Sequence, residues 1–321
     1  MTDRRQTVAL GILTLAALAL RLVHLTRFEL FVDEAATWWF AQLTAAGRLA
    51  EQMSLEPTPP LYYALVGGVM QLFGESDLAM RLPSAIFGAA AIPMAFCFAR
   101  ALLGPRVAWI AALLLAIHPL HVFYSREARV YPLLLLLTLA TLWALWRALE
   151  QSTRRAWAWV CGLLILVCYS HFYGLFLAAT VGVIVLLWGT DGKTRLHGAV
   201  AVGLALMVFL PYVAVTFPHL QESGAAWSIE TFYRDLPEEK RLGRVVEMQL
   251  VGADYHAYLR QLDQPPTPAA LRLAALLAQL TLIGSALHLA LRRQKLRQLG
   301  FLLVAWLLPI LLPWAVTHLG R

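Results

Sequence analysis

Two adjacent carboxylates, Asp33 and Glu34, stand in the stretch F-V-D-E-A-A-T-W-W-F-A-Q (Phe31 to Gln42), a few residues beyond a long apolar run. A carboxylate at an apolar–aqueous boundary is partly desolvated, which raises its basicity and suits it to take a proton from a hydroxyl. The plain alternative is that Asp33 caps a helix over residues 34–46 and that both carboxylates are solvated. A second group lies in Y-S-R-E-A-R-V-Y (Tyr124 to Tyr131). On a helix, Arg126 and Arg129 would project the same way, and guanidinium forks match the oxygens of a phosphate. Tyr124 and Tyr131 would add donors, and Glu127 would orient one arginine. The alternative is that both arginines snorkel to lipid headgroups.

Glu56 opens E-P-T-P-P-L-Y-Y, where Pro57, Pro59 and Pro60 stiffen the chain into an extended path. Either this holds Glu56 in a fixed place or it is only the turn that starts the next helix. His118 and His121 close one apolar run and His171 closes another. Such a histidine is either a hydrogen-bonded packing residue or part of a site. No pair of them has zinc-site spacing with a carboxylate, so no zinc is expected. Asp33, Glu34 and Glu56 are an oxygen set that would suit a divalent cation, should one be used. No Gly-rich phosphate loop, serine elbow or Cys–His pair is present.

These residues must be positioned by membrane helices. The chain has 321 residues, 60% of them hydrophobic and only 14% charged. Repeated long apolar runs of that kind mean an all-α polytopic membrane protein. The whole chain, 1–321, reads as a single membrane domain. The three cysteines, Cys97, Cys161 and Cys168, fall inside apolar runs and read as small buried hydrophobes, not as a disulfide framework. Candidate spans are 8–26, 79–100, 107–123, 132–148, 157–169, 174–188, 199–216, 269–291 and 299–317. The first follows a basic start without a cleavage site, so it reads as an uncleaved span that begins inside.

One more run, Pro60 to Gly74, is marginal in length, and charge decides it. If it does not cross, the inside segments are the N-terminus, Arg100–Arg106, Arg147–Arg155, the Lys193–Arg195 loop and Arg292–Arg297, and every one is basic. If it crosses, the most basic loops face outward. The run is therefore expected to lie in the outer interface, residues 27–78 form one external loop, and the count is about nine spans. The net charge of +7 then reflects inside loops and not nucleic-acid affinity. A long polar segment, 218–268, is a second external loop or lid, with a helix expected over 235–249.

In order along the chain come a first span, an external D-E, x-P-x-P-P-L-Y-Y, a Gly74–Ser84 stretch ending in R-L-P-S, S-R-E-A-R-V-Y and a histidine-aromatic turn, Y-S-H-F-Y. This order resembles polyprenyl-phosphate-sugar glycosyltransferases of the GT-C architecture, which include protein O-mannosyltransferases and lipid A aminoarabinose transferases. The resemblance covers roughly residues 5–215. It implies a GT-C-like bundle with juxtamembrane helices in the large first external loop. It also implies a polyprenyl-phosphate-linked sugar as donor and Asp33 as catalytic base; Glu34 beside it is expected either to support the base or to be a first-turn helix residue with no chemistry. Arg126, Arg129 and Tyr131 would bind the donor phosphate. Glu56, Tyr62, Tyr63, Arg81, His171 and Tyr173 would line the substrate pocket. The family carries more spans than the nine counted here, so the chain reads as a shortened or partial relative.

The expected reaction is inverting transfer to a hydroxyl acceptor on a protein, on lipid A or lipopolysaccharide, or on another envelope glycan. It would take place at the outer face of a bacterial inner membrane. The alternative is a non-catalytic membrane protein, either a lipid-phosphate-binding subunit or a transporter. Against a transporter, the ionisable groups gather at one face instead of the midplane, and no inverted repeat is evident.

Overall fold

A computed structural model of the chain describes residues 4–27, 29–56, 58–222 and 295–319, together with the single residues 277, 280, 281, 284, 288 and 291. The described residues contain helices and turns and no strand. In order these are α1 (Arg4–Leu22), α2 (Val32–Ala45), α3 (Leu49–Leu55), α4 (Leu61–Phe73), α5 (Asp77–Leu103), α6 (Pro105–Ile117) and α7 (Pro119–Tyr124). They are followed by α8 (Tyr131–Gln151), α9 (Arg154–Ser170), α10 (Tyr173–Trp188), α11 (Gly192–Glu222) and α12 (Leu296–Leu319).

Local sequence explains most boundaries. Ser76 caps α5 by accepting the Ala79 N–H. Gly104, at φ 95°, ends that helix, and Pro105 starts α6 at its first position, where a missing N–H costs nothing. Thr153 caps α9 in the same way as Ser76 caps α5. Among the described residues, five helices are long and apolar enough to cross a membrane: Arg4–Leu22, Asp77–Leu103, Tyr131–Gln151, Gly192–His219 and Leu296–Pro313. The protein is a multi-pass membrane protein.

The sequence expectations need two corrections here. The run 107–123 is not one helix: His118-Pro119 divides it into α6 and α7. Proline at 119 has no N–H for the carbonyl of Leu115. Arg21 of α1, fully buried, donates to the freed carbonyls of Ala116 (3.3 Å) and Leu115 (3.5 Å) and contacts His121 Nδ1 at 2.7 Å. The second correction is that residues 218–222 belong to α11, not to a loop. The described residues do not establish the count of about nine spans. The rest of the 218–268 segment, the helix expected over 235–249 and, apart from single residues, the run 269–291 lie outside the described residues.

The bundle has two chemically different ends. At one end Phe301 of α12 packs on Phe98, Trp146 and Trp188, which are late residues of α5, α8 and α10. Ser152 there meets Thr194 at 2.7 Å. Arg100, Arg147, Arg154, Arg155, Lys193, Arg195 and Arg297 belong to these helix ends. The opposite end collects the close of α1, the start of α5, the turn between α7 and α8 and the turn between α9 and α10. Helices α2, α3 and α4 sit at this end, because Arg81 near the start of α5 donates to the carbonyls of Leu25 (2.8 Å) and Glu29 (3.1 Å) beyond α1. Helices α2 and α4 touch at Gly67, where a Cβ would lie 2.6 Å from the carbonyl oxygen of Ala41.

Candidate active site

A cavity of about 200 Å³ opens among α2, the α3–α4 turn, the start of α4, the start of α8 and the α9–α10 turn. Its lining includes Asp33, Thr37 and Phe40 of α2, Glu56 and Thr58 of the turn, Tyr62 and Tyr63 of α4, then Arg129, Tyr131 and His171. Asp33 Oδ2 lies 2.9 Å from Arg129 Nη1, and its side chain is 51% exposed. Arg129 Nη2 donates to the Tyr131 hydroxyl at 3.0 Å, and the guanidinium lies 5.3 Å from the centre of that ring. Asp33 also stands in the first turn of α2, where the helix dipole favours a negative charge.

Glu34 does something else. Its side chain is buried and gripped by Arg81, with Nε to Oε1 at 2.8 Å and Nη2 to Oε2 at 2.7 Å. The same carboxylate accepts the N–H of Ala128 at 2.8 Å and that of Phe31 at 3.2 Å. Phe31, not Asp33, is the N-cap residue of α2, and Glu34 is the side chain that closes the cap. Neither Glu34 nor Arg81 lines the cavity. Together they tie α2 to α5 and to the turn that carries Arg129.

The two arginines also separate. The segment from Ser125 to Val130 is a turn and not a helix, so three-residue spacing does not align them. Arg126 Nη2 donates to the carbonyls of Val23 (2.7 Å) and His24 (3.1 Å), at the end of α1 and away from the cavity lining. Tyr173 is half exposed and also outside the lining, although its ring lies 5.3 Å from that of His171. Glu56 is held in place by its Oε1, which accepts the N–H of Thr58 at 3.0 Å. Sequence reasoning missed Thr37, Phe40, Thr58 and Ser84. Ser84 Oγ donates to the Arg129 carbonyl at 2.8 Å and meets the Tyr62 hydroxyl at 2.6 Å. The R-L-P-S stretch was visible, but no local signal says where its serine points.

Two groups in the turns are electrostatically distinct. Burial, and to a smaller extent the positive Arg129, lower His171 to about 4, so its ring is neutral at neutral pH. Burial, then the nearby Glu34 carboxylate, push Glu127 up to about 7 against the pull of Arg129. Among the described residues there is no cluster of three His, Cys, Asp or Glu arranged to hold a metal ion. The oxygens of Glu34 are committed to Arg81 and Ala128, which separates it from Asp33 and Glu56 as a ligand.

Comparison with known proteins adds three findings. Residues 57–216 match a family model described as dolichyl-phosphate-mannose-protein mannosyltransferase, a stretch that contains Arg129 and His171 but not Asp33. An undecaprenyl phosphate-alpha-4-amino-4-deoxy-L-arabinose arabinosyl transferase of Pseudomonas paraeruginosa is 33% identical over 161 residues, covering 48% of this chain and 29% of its own length. An enzyme of the same name from Pseudomonas aeruginosa matches to the same extent. The match thus spans less than a third of these relatives. The fold is similar to that of the S. cerevisiae protein O-mannosyltransferase Pmt1-Pmt2 complex bound to the sugar donor, with a TM-score of 0.50 and 19% identity over 69% of this chain and 34% of that one. At that identity the likeness speaks for the fold alone.

Proposed function

We propose that this chain, a GT-C-type relative of the lipid-phosphate-dependent glycosyltransferases, transfers a sugar from a polyprenyl-phosphate donor to a hydroxyl acceptor. The observation that carries the reading is the pairing of Asp33 with Arg129 across one cavity, at the end of the bundle away from the basic helix ends. The names of the relatives support the donor class. By the positive-inside rule the basic end faces the cytoplasm, and the cavity opens on the outer side of a bacterial inner membrane. The acceptor is a protein, lipid A or another envelope glycan.

In this reaction Asp33 takes the proton of the acceptor hydroxyl as its oxygen attacks the anomeric carbon. The bond from that carbon to the phosphate oxygen breaks on the opposite face, so configuration inverts. The phosphodiester leaves as a monoester and gains a negative charge, which Arg129 and the Tyr131 hydroxyl would stabilise without an acid to protonate it. Glu34 and Arg81 hold the geometry. Asp33→Asn is expected to lower transfer from a radiolabelled polyprenyl-phosphate sugar by about 10²-fold or more, with donor binding retained. Transfer at the wild-type rate would remove Asp33 from the role of base. Arg129→Ala is expected instead to shift the dependence on donor concentration, and an unchanged dependence would count against its phosphate role.

A further inference from the structure

His171 is held by its own turn before any ligand arrives. Its N–H bonds the Val167 carbonyl at 3.0 Å, and its carbonyl accepts the N–H of Gly174 at 2.8 Å. The backbone N–H of Tyr173 donates to ring Nδ1 at 3.1 Å. A nitrogen that accepts an N–H carries a lone pair and no proton, so in a neutral ring the proton is on Nε2. His171 lines the cavity with Asp33 from α2, Glu56 from the α3–α4 turn, Tyr63 from α4, and Arg129 and Tyr131 around the start of α8; the ring of Tyr173, from α10, packs on its ring.

We infer that His171 is a hydrogen-bond donor to the bound lipid-phosphate sugar, its Nε2–H reaching an oxygen of the phosphate–sugar head. This rests on the donor class proposed above. The ring is unsuited to take the acceptor's proton, because Nδ1 is engaged and Nε2 already bears one. It is also unsuited to give one up at neutral pH, since burial and Arg129 hold it down to about 4. What it offers is a fixed, uncharged N–H. Next to Arg129 such a donor adds stabilisation where charge develops. Towards the sugar it would select an oxygen at one position of the ring.

Two variants separate this from a role in the turn alone. His171→Asn keeps an acceptor oxygen for the Tyr173 N–H but lacks a group as far out as Nε2. His171→Gln supplies an amide N–H at about that reach. Both are checked for wild-type thermal unfolding. Binding of a short-chain polyprenyl monophosphate, and of the polyprenyl-phosphate sugar that the wild-type protein uses, is then measured with the full chain in nanodiscs. His171→Asn is expected to bind about ten- to a hundredfold more weakly, and His171→Gln to stay close to wild type. Weakening of both lipids places the contact on phosphate, and weakening of the sugar-bearing lipid alone places it on the sugar. Equal binding by His171→Asn and wild type overturns the inference, as does His171→Gln being as weak as His171→Asn. A wild-type protein that binds neither lipid removes the proposed function itself.

Discussion

Asp33 and Glu34 are neighbours in the chain with opposite environments. Asp33 is half exposed at the cavity and pairs with one arginine, whereas Glu34 is 2% exposed and has acceptor bonds from Arg81, Ala128 and Phe31. The helical turn of about 100° per residue sends consecutive side chains to different faces. Asp33 therefore meets the cavity and Glu34 meets α5. Losing one partner of a buried ion pair leaves an uncompensated charge, a loss of about 3–5 kcal/mol. Arg81→Ala is thus expected to lower the melting temperature in detergent strongly, while Asp33→Asn melts close to wild type. Thermal unfolding of the two variants side by side checks this, and comparable losses would show that Asp33 too is structural. Arg126 and Arg129 repeat the lesson. Their types and spacing suggested one shared role, but a turn in place of a helix sends Arg126 to the carbonyls of Val23 and His24.

At the scale of elements, the cavity depends on how closely α2 lies on α4. Gly67 makes that approach possible, since any side chain there would meet the backbone of Ala41 and not a flexible group. Gly67→Leu is expected to cost about 1–3 kcal/mol of stability and to move Asp33 away from Arg129. Stability and donor-dependent transfer should therefore fall together. The turn from Ser125 to Val130 has its own pH signature through Glu127. Its carboxyl is raised from 4.5 to about 7, so the fold favours the protonated form. The stability this contributes is present below the unfolded value and is lost as pH rises from about 4.5 through about 7. Glu127→Gln is expected to flatten the decline in melting temperature between pH 5 and pH 8. An identical decline in variant and wild type would rule out Glu127 as its source.

For the whole molecule, the separation of the two ends makes a topological prediction. If the basic end is cytoplasmic, a single cysteine introduced at Glu75, with the three native cysteines replaced, should react with a membrane-impermeant maleimide added outside intact spheroplasts. One introduced at Arg154 should react only after lysis. The reverse pattern would turn the cavity to the cytoplasm and remove the proposed acceptor side.

Membrane class, helical content and the gathering of polar groups away from the basic loops were all legible in the sequence. They depend on composition, hydrophobic run length and loop charge, which are local sums over neighbouring residues. Asp33, Glu56, Tyr62, Tyr63, Arg129, Tyr131 and His171 were legible as candidates in the same way, by type and place along the chain, and they line one cavity. The division of labour within each cluster was not legible. Glu34 is assigned by Arg81, 47 positions away, and by the N–H of Ala128, 94 positions away. Arg126 is assigned by carbonyls beyond α1, and Arg129 is held through Ser84 of α5. The role of an ionisable side chain follows from its burial and its partners. In this bundle both are fixed by residues distant in sequence, which only the packed helices bring together.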